Sequence, residues 1–261
     1  MSIKIQVLSD LHLEFQKALP KIFKPKFSQK PQFVKAPYLF LAGDIGYPKS
    51  DRGIWLQFIN FCEQYYDKIF YVSGNHEAYN SEYYETINTI KDVFKSKQKF
   101  VFLERGVISN LGPYKVVGCT LWSDVNQPGF ASLNDGAYIK IKKDNILRHL
   151  SREDVLEFHE KDKAWLESQV DANTIVMTHH LPSFEFIAEQ FKTYRYINMN
   201  TGFASELDSI LLRSKAWIYG HTHIGGIKDL NGTMCICNPF GYPDDYETSF
   251  TMEPIDINIC E

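Results

Sequence analysis

Apolar residues fall in short clusters, and their spacing changes from strand-like to helix-like and back along the chain. Residues 3–8 make an apolar-rich run of strand length that ends in Ser9-Asp10-Leu11-His12. Residues 38–42 predict a second strand, closed by Gly43-Asp44, and residues 69–72 a third, closed by Ser73-Gly74-Asn75-His76-Glu77. Between them, Trp55, Phe58, Ile59, Cys62 and Tyr65 recur at the spacing of one helix face over residues 51–66. A helix starting near Ser81, a suitable N-cap, puts Tyr83, Ile87, Ile90 and Phe94 on a buried stripe. Further strands are expected at 100–103, 107–111 and 115–120, with Gly112-Pro113 between the last two.

Two stretches break the alternation. Residues 15–37 hold Lys17, Lys21, Lys24, Lys26, Lys30 and Lys35 with no acidic residue, and four prolines interrupt both regular periods. They predict a surface arm, and Phe15, Phe23, Phe27 and Phe33 among the lysines either pin it to the body or stack on bases. Residues 123–150 contain Pro128-Gly129 and Asn134-Asp135-Gly136 and predict an insertion or long loop. Ser151 and Asp154 then resemble a capping box ahead of Val155, Phe158 and Trp165. A strand at 174–178 ends in His179-His180, and a short helix at 203–214 leads to a strand at 216–219 and Gly220-His221-Thr222-His223. Strands at 233–237 and 248–257 close the chain without helices between them. The order predicts a single α/β domain over residues 1–261 with mixed sheets, its loop 15–37 and insertion 123–150 lying near the active site.

Composition narrows the class. At 261 residues and 44% hydrophobic content the chain can bury a core without metal or disulfide support. The formal charge of -4 provides no global basic field for nucleic acid. Its five cysteines, Cys62, Cys119, Cys235, Cys237 and Cys260, match no disulfide or zinc-ribbon spacing, which favours a reducing compartment. The N-terminus lacks a secretion signal, and no apolar run reaches the roughly 20 residues a membrane span needs. A soluble cytoplasmic protein is expected.

The chemistry concentrates just beyond strand ends. Asp10 and His12, Asp44, Asn75 and His76, His179 and His180, and His221 and His223 all occupy such positions, and only His149 and His159 of the eight histidines lie elsewhere. In open α/β folds those loops form the ligand crevice. Imidazole and carboxylate donors without thiolate suit manganese, iron, zinc or similar divalent ions, and a carboxylate such as Asp44 can bridge two of them. No Gly-x-Ser-x-Gly elbow supports a serine nucleophile.

The ordered set Asp10-x-His12, Gly43-Asp44, Gly74-Asn75-His76-Glu77, His179 and Gly220-His221-x-His223 resembles the calcineurin-like metallophosphoesterase superfamily. Leu8-Ser-Asp-Leu-His-Leu-Glu14, Thr120-Leu-Trp122, Asn134-Asp135, Thr178-His-His-Leu-Pro-Ser183, Asn238-Pro239 and Gly241-Tyr242 look like a compact cytosolic bacterial-type branch. The resemblance implies a four-layer α/β/β/α sandwich and two divalent ions. One would be held by Asp10, His12 and His223, the other by Asn75, His179 and His221, with Asp44 bridging. His76 would be the non-ligand histidine that steadies a phosphoryl oxygen or protonates the leaving alkoxide. His179 and His180 are both able to fill the single family position; His179, first after the strand, is preferred, and His180 is then a neighbour or substrate contact. Asn134, Asp135 and Arg195 are further candidates for the substrate side.

The implied activity is phosphoester hydrolysis by in-line attack of a metal-bridging hydroxide, with diesters or a broad substrate range favoured over phosphomonoesters. The rival is a non-catalytic interaction scaffold of the same fold. A small phosphorylated molecule is the expected partner, with nucleic acid supported only by the lysine and phenylalanine interleaving.

Overall fold

Period-two alternation sends neighbouring side chains to opposite faces of a sheet, and here both faces are covered. The computed structural model describes residues 2–23, 31, 33–49, 53–243 and 250–258. Its strands are β1 (Ser2–Leu8), β2 (Tyr38–Ala42), β3 (Lys68–Val72), β4 (Ser81–Glu82), β5 (Phe100–Phe102), β6 (Ile108–Leu111) and β7 (Tyr114–Cys119). They continue as β8 (Ile139–Lys143), β9 (Ile146–His149), β10 (Thr174–Thr178), β11 (Ala216–Tyr219), β12 (Gly226–Leu230), β13 (Thr233–Cys237) and β14 (Ile255–Asn258). The helices are α1 (Ile54–Tyr65), α2 (Tyr83–Lys95), α3 (Gln127–Ser132), α4 (Asp135–Tyr138), α5 (Arg152–Gln169), α6 (Ile197–Asn200) and α7 (Asp208–Leu211).

A five-stranded sheet runs β14-β1-β2-β3-β5, parallel except at β14. A six-stranded sheet runs β12-β13-β11-β10-β7-β6, parallel through its middle and antiparallel at both edges. Strands β4, β8 and β9 form a small third sheet. Val7 pairs with Phe40 and Phe40 with Phe70, which stacks their side chains on one face. That face, with Ile5 and Val72, meets Val116, Ile175, Met177, Ile218 and Ile236 of the second sheet. Leu39, Leu41, Ile69 and Tyr71 point the other way, under Trp55, Phe58 and Ile59 of α1 and Ile90 and Phe94 of α2. Val117, Val176, Trp217 and Cys235 cover the far side of the second sheet against Leu166 of α5 and residues 181–211. The result is the expected four-layer α/β/β/α sandwich with mixed sheets.

Several elements differ from their sequence expectation. The first helix begins at Ile54, and the second is capped by Glu82, whose carboxylate accepts from Glu85 N. Ser81 instead pairs with Ile139, and Thr86 takes a buried position while Ile87 is half-buried. Residues 123–150 are not a loop: they hold α3, α4 and the β8–β9 hairpin, with Ile139 and Ile141 buried against Trp122 and Val155. The alternation there is too short to register as a period. The helix expected at 203–214 is reduced to α7, and β12 was missed because its residues are largely exposed. Strand 248–257 shrinks to β14, with residues 244–249 outside the described set.

The arm at 15–37 is no free surface segment where it is described. Leu19, Phe23, Phe33 and Val34 are buried beside α1, whereas Lys24, Lys26, Phe27 and Lys30, like Cys260, lie outside the described residues. No helix among the described residues is long and apolar enough to cross a membrane.

Candidate metal centre

Parallel strands place their carboxyl ends at one edge, so the turns after β1, β2, β3, β10 and β11 meet there although their residues are far apart in sequence. Backbone bonds lock the turns together: Asp10 N donates to Gly43 O at 3.0 Å, His12 N to Asp44 O at 3.0 Å, and Gly220 N to His179 O at 3.0 Å. Glu77, in the turn after β3, ties that turn to the one after β2, accepting from Asp44 N at 3.0 Å, Ile45 N at 2.9 Å and Gly74 N at 2.7 Å.

The closeness of these turns explains the glycines in the motifs. A β-carbon on Gly74 would stand 2.1 Å from Asp44 Oδ1, and one on Gly43 would stand 2.4 Å from His179 Nδ1. Left-handed backbone concentrates here as well: Asp10, His12, Asp44 and His221 have φ of 52, 44, 53 and 66°. Non-glycine residues in that region are held there only by surrounding structure, and such positions gather at functional sites.

Three overlapping donor sets result: Asp10, His12 and His223; His12, Asp44 and His76; and Asp44, His179 and His221, each with ligand atoms within 4.8 Å of one another. Asp44 belongs to two of them. His12 Nε2 faces His223 Nε2 at 3.2 Å, and His179 Nε2 faces His221 Nδ1 at 3.1 Å and Asn75 Oδ1 at 3.1 Å. Ring nitrogens pointed at each other this closely match the spacing of neighbouring ligands on one small divalent ion. The donor types and spacing therefore fit two divalent cations with Asp44 between them.

Partners on the far side of each ring fix which nitrogen is available. Glu14 Oε1 accepts from His12 Nδ1 at 3.0 Å, and Ala42 O accepts from His179 Nδ1 at 2.9 Å. Both leave Nε2 for the centre. Asn75 Nδ2 donates to Asp135 Oδ1 at 2.8 Å, which turns Asn75 Oδ1 toward His179. His76 backbone N donates to Asp44 Oδ1 at 2.9 Å, its Nδ1 donates to Glu14 Oε1 at 3.0 Å, and its Nε2 lies 3.2 Å from the Tyr242 hydroxyl. Burial opposes charge on His76, yet Asp44 and Glu14 hold its pKa above the ordinary histidine value. Burial and the neighbouring rings His180 and His179 hold His221 well below it, as a neutral donor.

Adjacent residues leaving β10 diverge. His179 enters the cluster, 3.4 Å from Asp44 Oδ2. His180 stays outside the donor sets: its ring stacks on Trp122 with centroids 5.4 Å apart, lies 4.3 Å from the His221 ring, and has its Nδ1 3.3 Å from Thr120 O. Burial and His179 keep it well below the ordinary histidine pKa. Asn134 and Asp135 line the cleft beside the cluster. Arg195 does not; it is exposed and lies over the Tyr196 ring at 5.4 Å. No described lysine of the arm lines the cleft either, though Phe15 reaches the edge of His76 and Tyr242. Glu14 and Tyr79, which donates to Asp135 at 2.8 Å, were not singled out from sequence. The Glu two residues after His12, within the same turn, was the available signal for the first.

A family model described as calcineurin-like phosphoesterase matches residues 3–225. An uncharacterized protein of Acanthamoeba polyphaga mimivirus, L509, is 31% identical over 274 residues, spanning 97% of this chain and 96% of that one. Among solved structures, phosphopantetheinyl hydrolase from Mycobacterium tuberculosis superposes with a TM-score of 0.66 at 18% identity, covering 93% of this chain and 90% of that chain. TT1561 of Thermus thermophilus does so with a TM-score of 0.55 at 16% identity, covering 92% and 90%. At these identities the two structures share the fold.

Proposed function

Because the chain belongs to the calcineurin-like phosphoesterase family, we propose that it hydrolyses phosphoesters at the centre around Asp44. One observation carries the reading: three overlapping histidine and carboxylate donor sets, linked through His12 and Asp44, adjoin one end of a cleft. Two divalent ions, of manganese, iron, zinc or similar, would supply charge neutralisation at phosphorus and activate water for in-line attack. In this reading Asp10, His12 and His223 would hold one ion and Asn75, His179 and His221 the other, with Asp44 available to both. Glu14 and Ala42 O keep His12 and His179 in the tautomers that ligation requires.

His76 is the proposed substrate-acting residue. It lines the cleft beside Asp44, with its Nδ1 held by Glu14 and its Nε2 3.2 Å from the Tyr242 hydroxyl. A protonated His76 can donate to a phosphoryl oxygen and then release the proton to the departing alkoxide. Diesters, or a broad range of esters, are the favoured substrates because the cleft continues past the donor sets and leaves room for a second substituent. Phosphomonoesters are the alternative. The resemblance of the same motifs supports a compact, cytosolic bacterial-type branch as part of this reading, and the four described cysteines, all buried and free, agree with a reducing compartment.

The test is turnover of bis(p-nitrophenyl) phosphate and p-nitrophenyl phosphate by protein loaded with manganese, iron, zinc, nickel or cobalt. Hydrolysis that disappears in Asp44→Asn and Asn75→Ala supports the reading. Absence of turnover with every metal favours a non-catalytic scaffold.

A further inference from the structure

Asp44, Asn75, His76, His221 and His223 form one end of a cleft of about 620 Å³. The remainder is built from two segments distant in sequence, residues 132–135 and residues 187–203, which touch where Leu133 packs on Gly202. Ile187, Phe191, Met199 and Phe203 line the second wall, and Leu133 the first. Phe191 is 41% exposed and Ile224, at the rim, 37%, so apolar surface is left to water at the mouth. The polar groups interspersed among them are mostly uncharged amides, Asn134, Gln190 and Asn200. No lysine or arginine lines the cleft among the described residues.

The two walls are joined before any ligand arrives. Asn126 Nδ2 donates to Asn198 Oδ1 at 2.9 Å, and Asn126 N donates to Thr201 Oγ1 at 3.1 Å. Where α3 meets α6, a β-carbon on Gly129 would stand 2.3 Å from Asn198 O, so the approach depends on glycine. A preformed cleft spends little of its binding energy on ordering itself.

From this lining we infer that the reacting phosphoester carries an extended, uncharged and predominantly apolar organic arm, seated along the surface made by Leu133 and residues 187–203. The inference rests on the phosphoesterase reading and names the substrate class for the same site. A further phosphate on that arm would be stripped of water against a wall that offers it no cation. An aliphatic arm instead removes Leu133, Phe191 and Met199 from water, and the amides accept its occasional polar group. Nucleotide polyphosphates and oligonucleotides are therefore poor fits, and the described lysines of the arm, Lys17, Lys21 and Lys35, are not part of this lining.

The metal-loaded full chain would be given methyl and hexyl p-nitrophenyl phosphodiesters, with ATP and a short oligonucleotide as polyanions. Calorimetry would compare methylphosphonate with hexylphosphonate. Each fully buried methylene is worth about fourfold in binding, so partial burial of the added chain predicts a hexyl advantage of about tenfold or more. It should appear in KM and in phosphonate affinity, and the hexyl-to-methyl ratio should fall toward one in Phe191→Ala combined with Met199→Ala. Equal values for the two chain lengths, or a preference for the polyanions, overturn the inference. If no ester turns over, the hydrolytic reading falls, and the phosphonate comparison alone decides whether the cleft takes an apolar arm.

Discussion

Glu14 and His76 meet at 3.0 Å between Oε1 and Nδ1, and the same carboxylate oxygen is 3.0 Å from His12 Nδ1. One buried carboxylate thus orients both a proposed ligand and the proposed proton donor. Its second oxygen, Oε2, is buried without a hydrogen-bond partner, so the carboxylate is committed to the two imidazoles. Replacing it by the isosteric amide in Glu14→Gln keeps a carbonyl oxygen for the two rings but removes the negative charge that strengthens both contacts, and puts a buried, unpaired amide N–H group at the Oε2 position. Metal affinity and kcat are each expected to fall about 10–100-fold, read by calorimetric metal titration and steady-state kinetics.

The divergence of His179 and His180 gives a second prediction. His179→Ala removes a ring 3.4 Å from Asp44 and 3.1 Å from His221, and should cost one bound ion per chain after dialysis. His180→Ala removes a ring stacked on Trp122 and should leave metal stoichiometry intact, with lower thermal stability. Metal analysis of the two purified variants separates these outcomes.

Gly74→Ala tests how tightly the turns are packed. Its new β-carbon meets Asp44 Oδ1 at 2.1 Å and backbone N at 2.7 Å, so the backbone must move. A loss of about 1–3 kcal/mol in denaturant unfolding is expected, together with weakened metal binding. Gly226→Ala, where nothing lies within 4 Å, should stay within about 0.5 kcal/mol of the parent.

A pH-dependent element lies away from the centre. Asp154 is part of the capping box of α5 and takes two hydrogen bonds from Arg148, at 2.5 and 2.9 Å. Burial works against its charge, but Arg148 and Ser151 bring its pKa down to about 2. Since the folded value lies below the unfolded one, its contribution is present above about pH 4 and is lost as pH falls toward 2. Asp154→Asn should cost about 1 kcal/mol at pH 6, and the gap to the parent should close between about pH 4 and pH 2 in urea melts.

Much of this was legible in residue order because it is local. Strand ends at Asp10, Asp44, Asn75, His179 and His221 follow from short apolar runs stopped by glycine and polar residues, and the capping box of α5 from a four-residue pattern. Residues 123–150 were illegible because Ile139 and Ile141 form only one short alternation, stabilised by Trp122 and Val155 from outside it. Phe23 and Phe33 hid in a lysine-rich context, since what buries them is α1, a separate element later in the chain, and not any period of their own.

The sequence by itself determined the donor types, their strand-end positions and an α/β domain with mixed sheets, since these depend on side-chain chemistry and on spacing within single elements; the sandwich followed from the family resemblance. Tertiary structure alone decided that His179 faces Asp44 while His180 rests on Trp122, that Glu14 serves two imidazoles, and that an apolar cleft without lysine or arginine among its described residues adjoins the centre. Each of those is a relation between segments brought together by sheet packing, and no periodicity within a segment encodes the direction from which another one arrives.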